Sequence, residues 1–424
     1  MDVQDVNVAI LGMGTVGGGI YRLIEQERDN IAHKEGIRLN VKKTLALNYT
    51  LDVPEEKRAR DIDEILNDPE ITIVAEVMGG LHPAKEFEIA ALRAGKTVVS
   101  ANKDMISQNW PDLEQAAKEG KVGHYFEAAV GGAIPILRAV NDSMQANTID
   151  EIYGIVNGTT NYILTMMDDK GQDFDEALAE AQKLGYAEAN PTSDVDGLDA
   201  RYKLSILASL AFHARIPVDR IYCEGIRNVS QADIEVGREL GYVVKLLAIG
   251  KKSPEGVIEV RVHPTMIPAD HPLASIKGEF NAVFIHGSAV GDMMWYGKGA
   301  GDLPTASALV SDMIYSIRNE PRYATFDNTY EANAVQISED WVTRYYIRMQ
   351  VQDKPGVLAA IAGIFQNHDV SIQSVLQKPG TTDGQAPLII VTHPAREKNL
   401  HAAVAQVAKL EDVHTQPSVI YVEQ

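Results

Sequence analysis

The stretch Val6-Asn-Val-Ala-Ile-Leu-Gly12-Met-Gly14-Thr-Val-Gly17 decides how the first third of this chain folds. A short, apolar, β-prone run ends in Gly-x-Gly-x-x-Gly, and Ile20, Leu23, Ile24 and Glu27 then begin a helix. Strand, glycine turn and helix in this order are the context in which the motif binds a dinucleotide. Gly12 permits the tight turn, Gly14 lets backbone approach a pyrophosphate, and Gly17 lets helix pack on strand. The helix start supplies N–H donors and a positive dipole end. Gly12, Met13, Gly14, Thr15, Val16 and Gly17 are therefore the expected cofactor-binding residues. The ordinary alternative, a glycine-rich turn with no ligand, is disfavoured by the flanking strand and helix.

Working outward, a second strand is expected near Lys42–Asn48, ending in Ala46-Leu47-Asn48-Tyr49. A carboxylate there would grip the ribose diol of NAD. None is present, while Lys57, Arg58 and Arg60 lie a little further on, so NADP, or use of both cofactors, is favoured over strict NAD. Ile71–Val77, Thr97–Ser100 and Val122–Phe126 read as further strands, with a helix over 83–94. Short strands alternating with helices give an α/β class, a Rossmann-like doubly wound sheet. Ligands bind at the carboxyl ends of such strands, where Gly79, Lys103 and Glu127 fall. A lysine in a loop is usually just solvated, but Lys103 follows a buried strand.

The middle of the chain carries the densest chemistry. Glu151–Val156 reads as a strand, and Asn157-Gly-Thr-Thr-Asn161 opens a helix with Gly158 or Thr159 as a plausible cap. A helix from Phe174 to Leu184 ends at Gly185. The segment Gly185–Lys203 then packs Glu188, Asp194, Asp196 and Asp199 into one turn-rich stretch. Residues four apart share a helix face, so Asp199, Lys203, Leu207 and Ala211 form one stripe. Pairs at this spacing are mostly weak surface ion pairs. This one continues into an almost wholly apolar run, which points the lysine and carboxylate inward, where burial can tune them. Asp196 is the expected helix cap. Strands follow near Val243–Ile249, Val257–His263 and Ala282–Ser288. The run Gly297-Lys-Gly299-Ala-Gly301-Asp-Leu-Pro304-Thr305 then leads into a helix through Ile317 that returns to the nucleotide domain.

Composition narrows the function classes. The chain has 424 residues, 45% hydrophobic and 23% charged, enough for two to four domains with sizeable cores. A net charge of -20 with no long basic cluster argues against nucleic acid or anionic membrane as a main partner. The single cysteine, Cys223, allows no intrachain disulfide, as in a reducing cytoplasm. The polar start Met1-Asp-Val-Gln-Asp-Val-Asn7 is unlike a secretory signal, and no apolar run would span a bilayer. The eleven histidines are scattered without zinc-ligand spacing.

From Tyr345 onward the elements run strand, helix, strand, strand, helix, strand, the ferredoxin-like order. Tyr345–Val351, Val370–Gln377, Pro387–Thr392 and Ser418–Val422 are the strands. Val357, Ile361, Ile364 and Phe365 mark one helix; Leu400, Ala403, Val404 and Val407 mark the other.

Taken together, these motifs resemble the homoserine dehydrogenase family. The carriers are Gly12-x-Gly14-x-x-Gly17, Ala101-Asn-Lys103, Glu127-Ala-Ala-Val-Gly-Gly-Ala-Ile-Pro135, Asn157-Gly-Thr-Thr-Asn161, Gly185-Tyr-Ala-Glu188, Asp194–Lys203 and Gly297-Lys-Gly-Ala-Gly301, in the family's order over most of residues 5–320. Tyr202 stands where many relatives carry a smaller or polar residue. The resemblance implies reversible reduction of L-aspartate 4-semialdehyde to L-homoserine with NAD(P)H, in threonine, methionine and isoleucine biosynthesis. It implies Lys203 as catalytic proton donor and acceptor, and substrate binding by Glu188, Asp199, Asp194, Lys103 and Thr159. It places Lys103, Gly185 and Gly301 at the cofactor, and a monovalent cation, sodium, on carbonyls of Glu127, Val130, Gly132 and Ile134. The turn Asp353-Lys-Pro-Gly-Val-Leu358 makes the last module resemble an ACT domain, which implies feedback by L-threonine and a homodimer or homotetramer. The implied organisation is a nucleotide domain over 1–135, completed by about 304–320, a catalytic and dimerisation α+β domain over 136–303, a linker over 321–343 and the ACT domain over 344–424. Two rivals are weighed against it. A semialdehyde dehydrogenase needs a cysteine nucleophile, and Cys223 has no supporting histidine motif. A nucleotide- and amino-acid-binding sensor has no need for a buried lysine among carboxylates.

Overall fold

The computed structural model describes residues 3–321, 336–380 and 384–423. Its first unit alternates strands and helices: β1 Gln4–Met13, α1 Thr15–Glu35, β2 Ile37–Tyr49, α2 Asp63–Leu66, β3 Ile71–Glu76, α3 Ala84–Arg93, β4 Thr97–Ser100, α4 Lys103–Gly120 and β5 His124–Tyr125. The strands form a five-stranded sheet in the order β2-β1-β3-β4-β5, with parallel pairings throughout. The order reverses at β1, so the crevice at its carboxyl end is where a ligand is expected.

The second unit begins with the short helix α5 Ile136–Arg138 and β6 Ile149–Ile155. Helices α6 Gly158–Lys170, α7 Phe174–Leu184, α8 Thr192–Val195 and α9 Leu198–Phe212 follow, then β7 Tyr222–Cys223 and α10 Gln231–Glu239. β8 Tyr242–Lys252, β9 Ile258–Pro268, β10 Phe280–Gly287 and β11 Gly291–Lys298 complete its sheet, and α11 Asp302–Arg318 returns to the first unit. The return is made by packing. Ala306, Leu309, Val310 and Met313 of α11 share a core with Val8, Ile10, Ile20 and Ile24, and a Cβ on Gly19 would collide with Asp302 at the start of α11.

The last unit is β12 Ile337–Ser338, β13 Val342–Gln352, α12 Val357–Asn367, β14 Ile372–Gln377, β15 Gln385–Thr392, β16 Ala395–Arg396, α13 Glu397–Val407 and β17 Ser418–Val422. Its sheet order β17-β13-β15-β14 is the ferredoxin-like one expected from the element order. Gly356 caps α12 at φ 98°, and Gln377 Nε2 donates to Asp353 Oδ1 at 2.9 Å, which ties the Asp353–Leu358 turn to the end of β14.

Two features depart from expectation. β17 pairs in parallel with β9, Tyr421 opposite Thr265 and Val422 opposite Met266, so the two larger sheets become one 12-stranded sheet. The segment expected as a linker lies mostly outside the described residues, but its described end is tied down. Ile337–Ser338 pairs with Ile258–Glu259, and Trp341 is buried in the last unit's core. Among the described residues, no helix is long and apolar enough to cross a membrane.

Candidate functional site

The β1–α1 turn has the geometry its glycines predict. Gly12 stands at φ 96°, and a Cβ there would lie 2.7 Å from the Val77 carbonyl oxygen. A Cβ on Gly17 would collide with the Gly12 carbonyl. Gly14 caps α1 with no side-chain bond and has nothing within 4 Å of where its Cβ would be. Gly14 and Thr15 are exposed, Val16 is half-buried and Met13 is buried. First-turn N–H groups with open approach are what a pyrophosphate needs. Thr50 holds the turn from the β2 side, its Oγ1 donating to the Met13 carbonyl at 2.8 Å. At the end of β2, Leu47 and Asn48 are exposed and no carboxylate stands there. The Arg58 guanidinium lies over the Tyr49 ring at 4.7 Å, and Lys57 lies over Tyr21 at 5.2 Å.

A buried network links the ends of β3 and β4. Glu76 accepts from Met78 N–H at 2.7 Å and from Ser100 Oγ at 3.0 Å. Burial, reinforced by the neighbouring Glu88 carboxyl, pushes its pKa up to about 8. Asn102 donates to the Gly80 carbonyl at 2.8 Å and caps α4 by accepting from Met105 N–H. Lys103, the first residue of α4, is thereby set beside Asp199. Only Asn102 had a local signal in the sequence, a capping residue before a helix.

A cluster of buried charged side chains forms where β6, α8 and α9 meet. Lys203 Nζ donates to Asp199 Oδ2 at 2.6 Å and to the Val156 carbonyl at 2.7 Å. The two side chains are 11% and 10% exposed, so this pair is interior, not a surface pair. Leu207 and Ala211, next on the stripe, are buried. Asp199 Oδ1 lies 3.5 Å from Lys103 Nζ. Burial alone would raise the Asp199 pKa, but the two ammonium groups beside it hold it below the usual range. Lys103 is desolvated, yet Asp199 and Asp104 keep its pKa raised. Asn157 Nδ2 bridges Asp194 Oδ1 at 2.7 Å and Asp199 Oδ2 at 2.9 Å. Burial raises the Asp194 pKa.

Asn157, Asp194, Asp199 and Lys203 wall a cleft of 640 Å³ that also exposes Thr159, Gly185, Tyr186, Glu279, Lys298 and the α11 start from Gly301 to Pro304, while Lys103 is outside its lining and joins the cluster through Asp199. Gly185 caps α7 at φ 80°, and Gly301 caps α11 at φ 130°, both in the left-handed region that favours glycine. Thr159 Oγ1 donates to the Tyr186 carbonyl at 2.5 Å. The structure thus brings Lys203, Asp199, Asp194, Lys103, Thr159, Gly185 and Gly301 together. Glu188 stands apart: it is exposed and does not line the cleft.

Two cap assignments are corrected. Asp196 does not cap α9; Gly197 does, at φ 81°, while the half-buried Asp196 pairs with Arg227. The α6 cap is Asn157, whose side chain accepts from Thr160 N–H at 2.8 Å, not Gly158 or Thr159. Asn157 therefore caps with its oxygen and bridges two carboxylates with its nitrogen, a double use that a single-sequence reading does not expose. Cys223 donates to the Asp196 carbonyl, and burial pushes its thiol up to about 11, the opposite of an activated nucleophile.

The segment from Glu127 to Arg138 is folded on itself. The Glu127 carboxyl accepts from Leu137 and Arg138 N–H at 2.8 Å each, and burial pushes its pKa up to about 7. Gly131 and Gly132 take positive φ of 73° and 55°. A Cβ on Gly132 would collide with the Gly299 carbonyl, so this loop buttresses the glycine loop of the cleft.

Comparisons with known proteins follow this geometry. Residues 12–127 match the family model "Homoserine dehydrogenase, NAD binding domain", residues 135–314 match "Homoserine dehydrogenase", and residues 345–412 match "ACT domain". A homoserine dehydrogenase of Synechocystis sp. is 43% identical over 430 residues, covering 98% of this chain and 99% of the relative. The crystal structure of a homoserine dehydrogenase from Thiobacillus denitrificans superposes with a TM-score of 0.92 at 38% identity, over 100% of this chain and 99% of that one. A hyperthermophilic archaeal homoserine dehydrogenase in complex with NADPH matches with a TM-score of 0.63 at 28% identity, over 76% of this chain and all of that one.

Proposed function

The chain belongs to the homoserine dehydrogenase family, and from that premise we propose how its cleft carries the reaction, with Lys203 as proton donor and acceptor. The enzyme interconverts L-aspartate 4-semialdehyde and L-homoserine with a nicotinamide dinucleotide. When bound, the nicotinamide supplies or removes the hydride. The aldehyde oxygen then needs a proton, and the observation that supports Lys203 is its ammonium fixed in the cleft wall. An ammonium has three N–H donors. Two are committed to Asp199 and Val156, which leaves one for the substrate oxygen. In reduction Lys203 protonates the developing alkoxide; in oxidation the neutral amine takes the hydroxyl proton.

Asp199, with both oxygens engaged, holds Lys203 and Lys103 in register and meets the substrate alongside them. Asp194 offers a carboxylate to the substrate ammonium, and Glu188, which stands outside the cleft lining, is the second carboxylate proposed for it. Lys103 and the N–H groups at Thr159 face the substrate carboxylate. Met13, Thr15, Val16 and the three glycines of the turn hold the pyrophosphate, while Gly185, Gly301 and Lys103 border the nicotinamide. NADP is the favoured form: the β2 end has no carboxylate to repel a 2′-phosphate, and Lys57 and Arg58 stand nearby. The test is oxidation of NADPH with aspartate semialdehyde, repeated with NADH. Turnover confined to NADH would reverse the preference, and none with either would remove the assignment.

The carbonyls of Glu127, Val130, Gly132 and Ile134 lie in a closed loop whose hard oxygens suit sodium. Melting curves in sodium against choline chloride test it, with a higher melting temperature in sodium expected. For the ACT domain we propose L-threonine as effector, and for the assembly a homodimer or homotetramer in the cytoplasm. Threonine titration with Asp353–Leu358 intact or replaced, and sedimentation, are the checks; a purely structural module would show no inhibition.

A further inference from the structure

One polar side chain in the cleft wall is used by none of the bonds above. Asn281 lies near the start of β10, is 1% exposed, and lines the cleft beside Lys298, Gly299 and Ala300. Neither its Nδ2 nor its Oδ1 has a hydrogen-bond partner. Leaving buried polar groups unpaired costs about 1–3 kcal/mol each, so such an amide in a cleft wall needs a reason.

Asn281 is held in place on both sides. Just before it, Asn161 Nδ2 donates to the carbonyls of Gly278 at 2.9 Å and Phe280 at 3.1 Å. The buried ammonium of Lys245 in turn grips Asn161 Oδ1 at 3.0 Å and the Ile276 carbonyl. The chain entering β10 is therefore pinned. Across the amide lies Gly299, and any Cβ at that position would collide with the Asn281 carboxamide. A glycine is the thinnest cover a chain can supply, and Gly297 and Gly301 flank it with further backbone freedom.

We propose that Asn281 binds the carboxamide of the nicotinamide ring, donating from Nδ2 and accepting at Oδ1, and so fixes the ring's orientation toward Lys203. The unpaired atoms are one donor and one acceptor, spaced across a planar group. The substrate carboxylate and aldehyde and the cofactor phosphates offer acceptors only, and the substrate ammonium offers donors only. A hydroxyl carries its donor and acceptor on one atom. The nicotinamide carboxamide presents the matching pair at matching spacing. Adenine presents a similar pair but belongs at the opposite end, beside β2. When the ring enters, the Gly297–Gly301 loop yields at Gly299 and the amide exchanges a glycine cover for two hydrogen bonds.

This inference rests on the cleft being the place where nicotinamide meets substrate, and the test separates the two. Dissociation constants are measured by fluorescence titration of the full chain with NADP and with its 3-acetylpyridine analogue. The analogue's methyl ketone keeps the acceptor and loses the donor. The wild type is expected to bind the carboxamide about tenfold more tightly than the ketone, the worth of one hydrogen bond. Asn281→Leu is expected to bind NADP at least about tenfold more weakly than wild type and to lose the preference. A wild-type ratio near one, or an unchanged ratio in Asn281→Leu, overturns the proposal. Should Asn281→Leu fail to fold, Asn281→Asp, which when ionised keeps the acceptor and loses the donor, carries the same comparison: both ligands are expected to bind more weakly with the preference for the carboxamide retained, and loss of that preference overturns the proposal. Lys203→Met is the control for the site itself. If it binds NADP normally without turnover while the Asn281 ratio stays unchanged, only the Asn281 assignment fails. If Lys203→Met is fully active, the site reading fails.

Discussion

Two buried ion pairs in this molecule have opposite meanings. At the cleft, Lys203 and Asp199 face each other with one lysine N–H uncommitted and open space alongside. At the junction of the catalytic and ACT sheets, Arg261 is fully buried, with Nη1 on Glu259 at 2.8 Å, Nη2 on Glu423 at 2.7 Å and Nε on His263 at 3.1 Å. Trp341 covers its face at 5.2 Å. Lys251 takes the other Glu423 oxygen at 2.8 Å. Burial opposes the Glu423 charge, but Arg261 and Lys251 hold its pKa below the usual range. A buried charge with every valence satisfied locks two units together. A buried charge with a spare donor on a cleft is available for chemistry.

The sharpest way to break this contrast is Lys203→Met. Turnover is expected to fall by about a thousandfold or more, with the far-UV spectrum and melting behaviour retained. A fully active variant would sink the catalytic role. Arg261→Met should do the reverse. It removes the cation that both Glu259 and Glu423 share and leaves Glu423 with Lys251 alone, and breaking a buried pair in this way costs about 3–5 kcal/mol of stability. Urea unfolding should show it, while turnover per folded molecule stays near normal. Loss of turnover without loss of stability would mean the junction is not merely structural.

Asn157→Ala probes the cleft pair from the side. It removes the α6 cap and the bridge between Asp194 and Asp199. A fall in kcat of about ten- to a hundredfold is expected from misplacement near the chemistry, with a smaller loss of stability. An unchanged kcat would assign Asn157 to capping alone.

The smallest expected effect concerns pH. Asp199 and Glu423 have depressed pKa values, so their contribution is present above the unfolded carboxylate pKa and is lost as pH falls through the folded one. Glu76 has the opposite sign. Its folded pKa of about 8 means its contribution is full below the unfolded value and is lost as pH rises through about 8. Glu76→Gln removes that titration. Its melting temperature relative to wild type is expected to rise between pH 6 and pH 9. A constant difference would show that Glu76 is ionised in the folded protein.

Much of this was legible in the residues themselves. The glycine turn at Gly12–Gly17, the α7 helix with its Gly185 cap and the Asp199–Lys203–Leu207–Ala211 stripe follow from φ preferences and helical period, which act over a few residues. β11 was not legible. Its residues Met293, Met294 and Tyr296 are exposed on an edge strand, so the inside–outside alternation that betrays a strand is missing. The Asp196 cap failed because a carboxylate beside a helix start has rival partners, and Arg227 took it.

The sequence by itself determined the family, the dinucleotide turn, the ferredoxin-like order of the last module and the face on which Lys203 lies. These rest on local periodicity, on glycines that only certain turns require, and on motifs kept in order along the chain. Tertiary structure alone decided which atoms those side chains meet. The Val156 carbonyl is 47 residues from Lys203, and the Asn157 amide is 42 residues from Asp199. β17 joins β9 across the interval between Thr265 and Tyr421. Such pairings depend on how separate elements pack, and no spacing within one element encodes them.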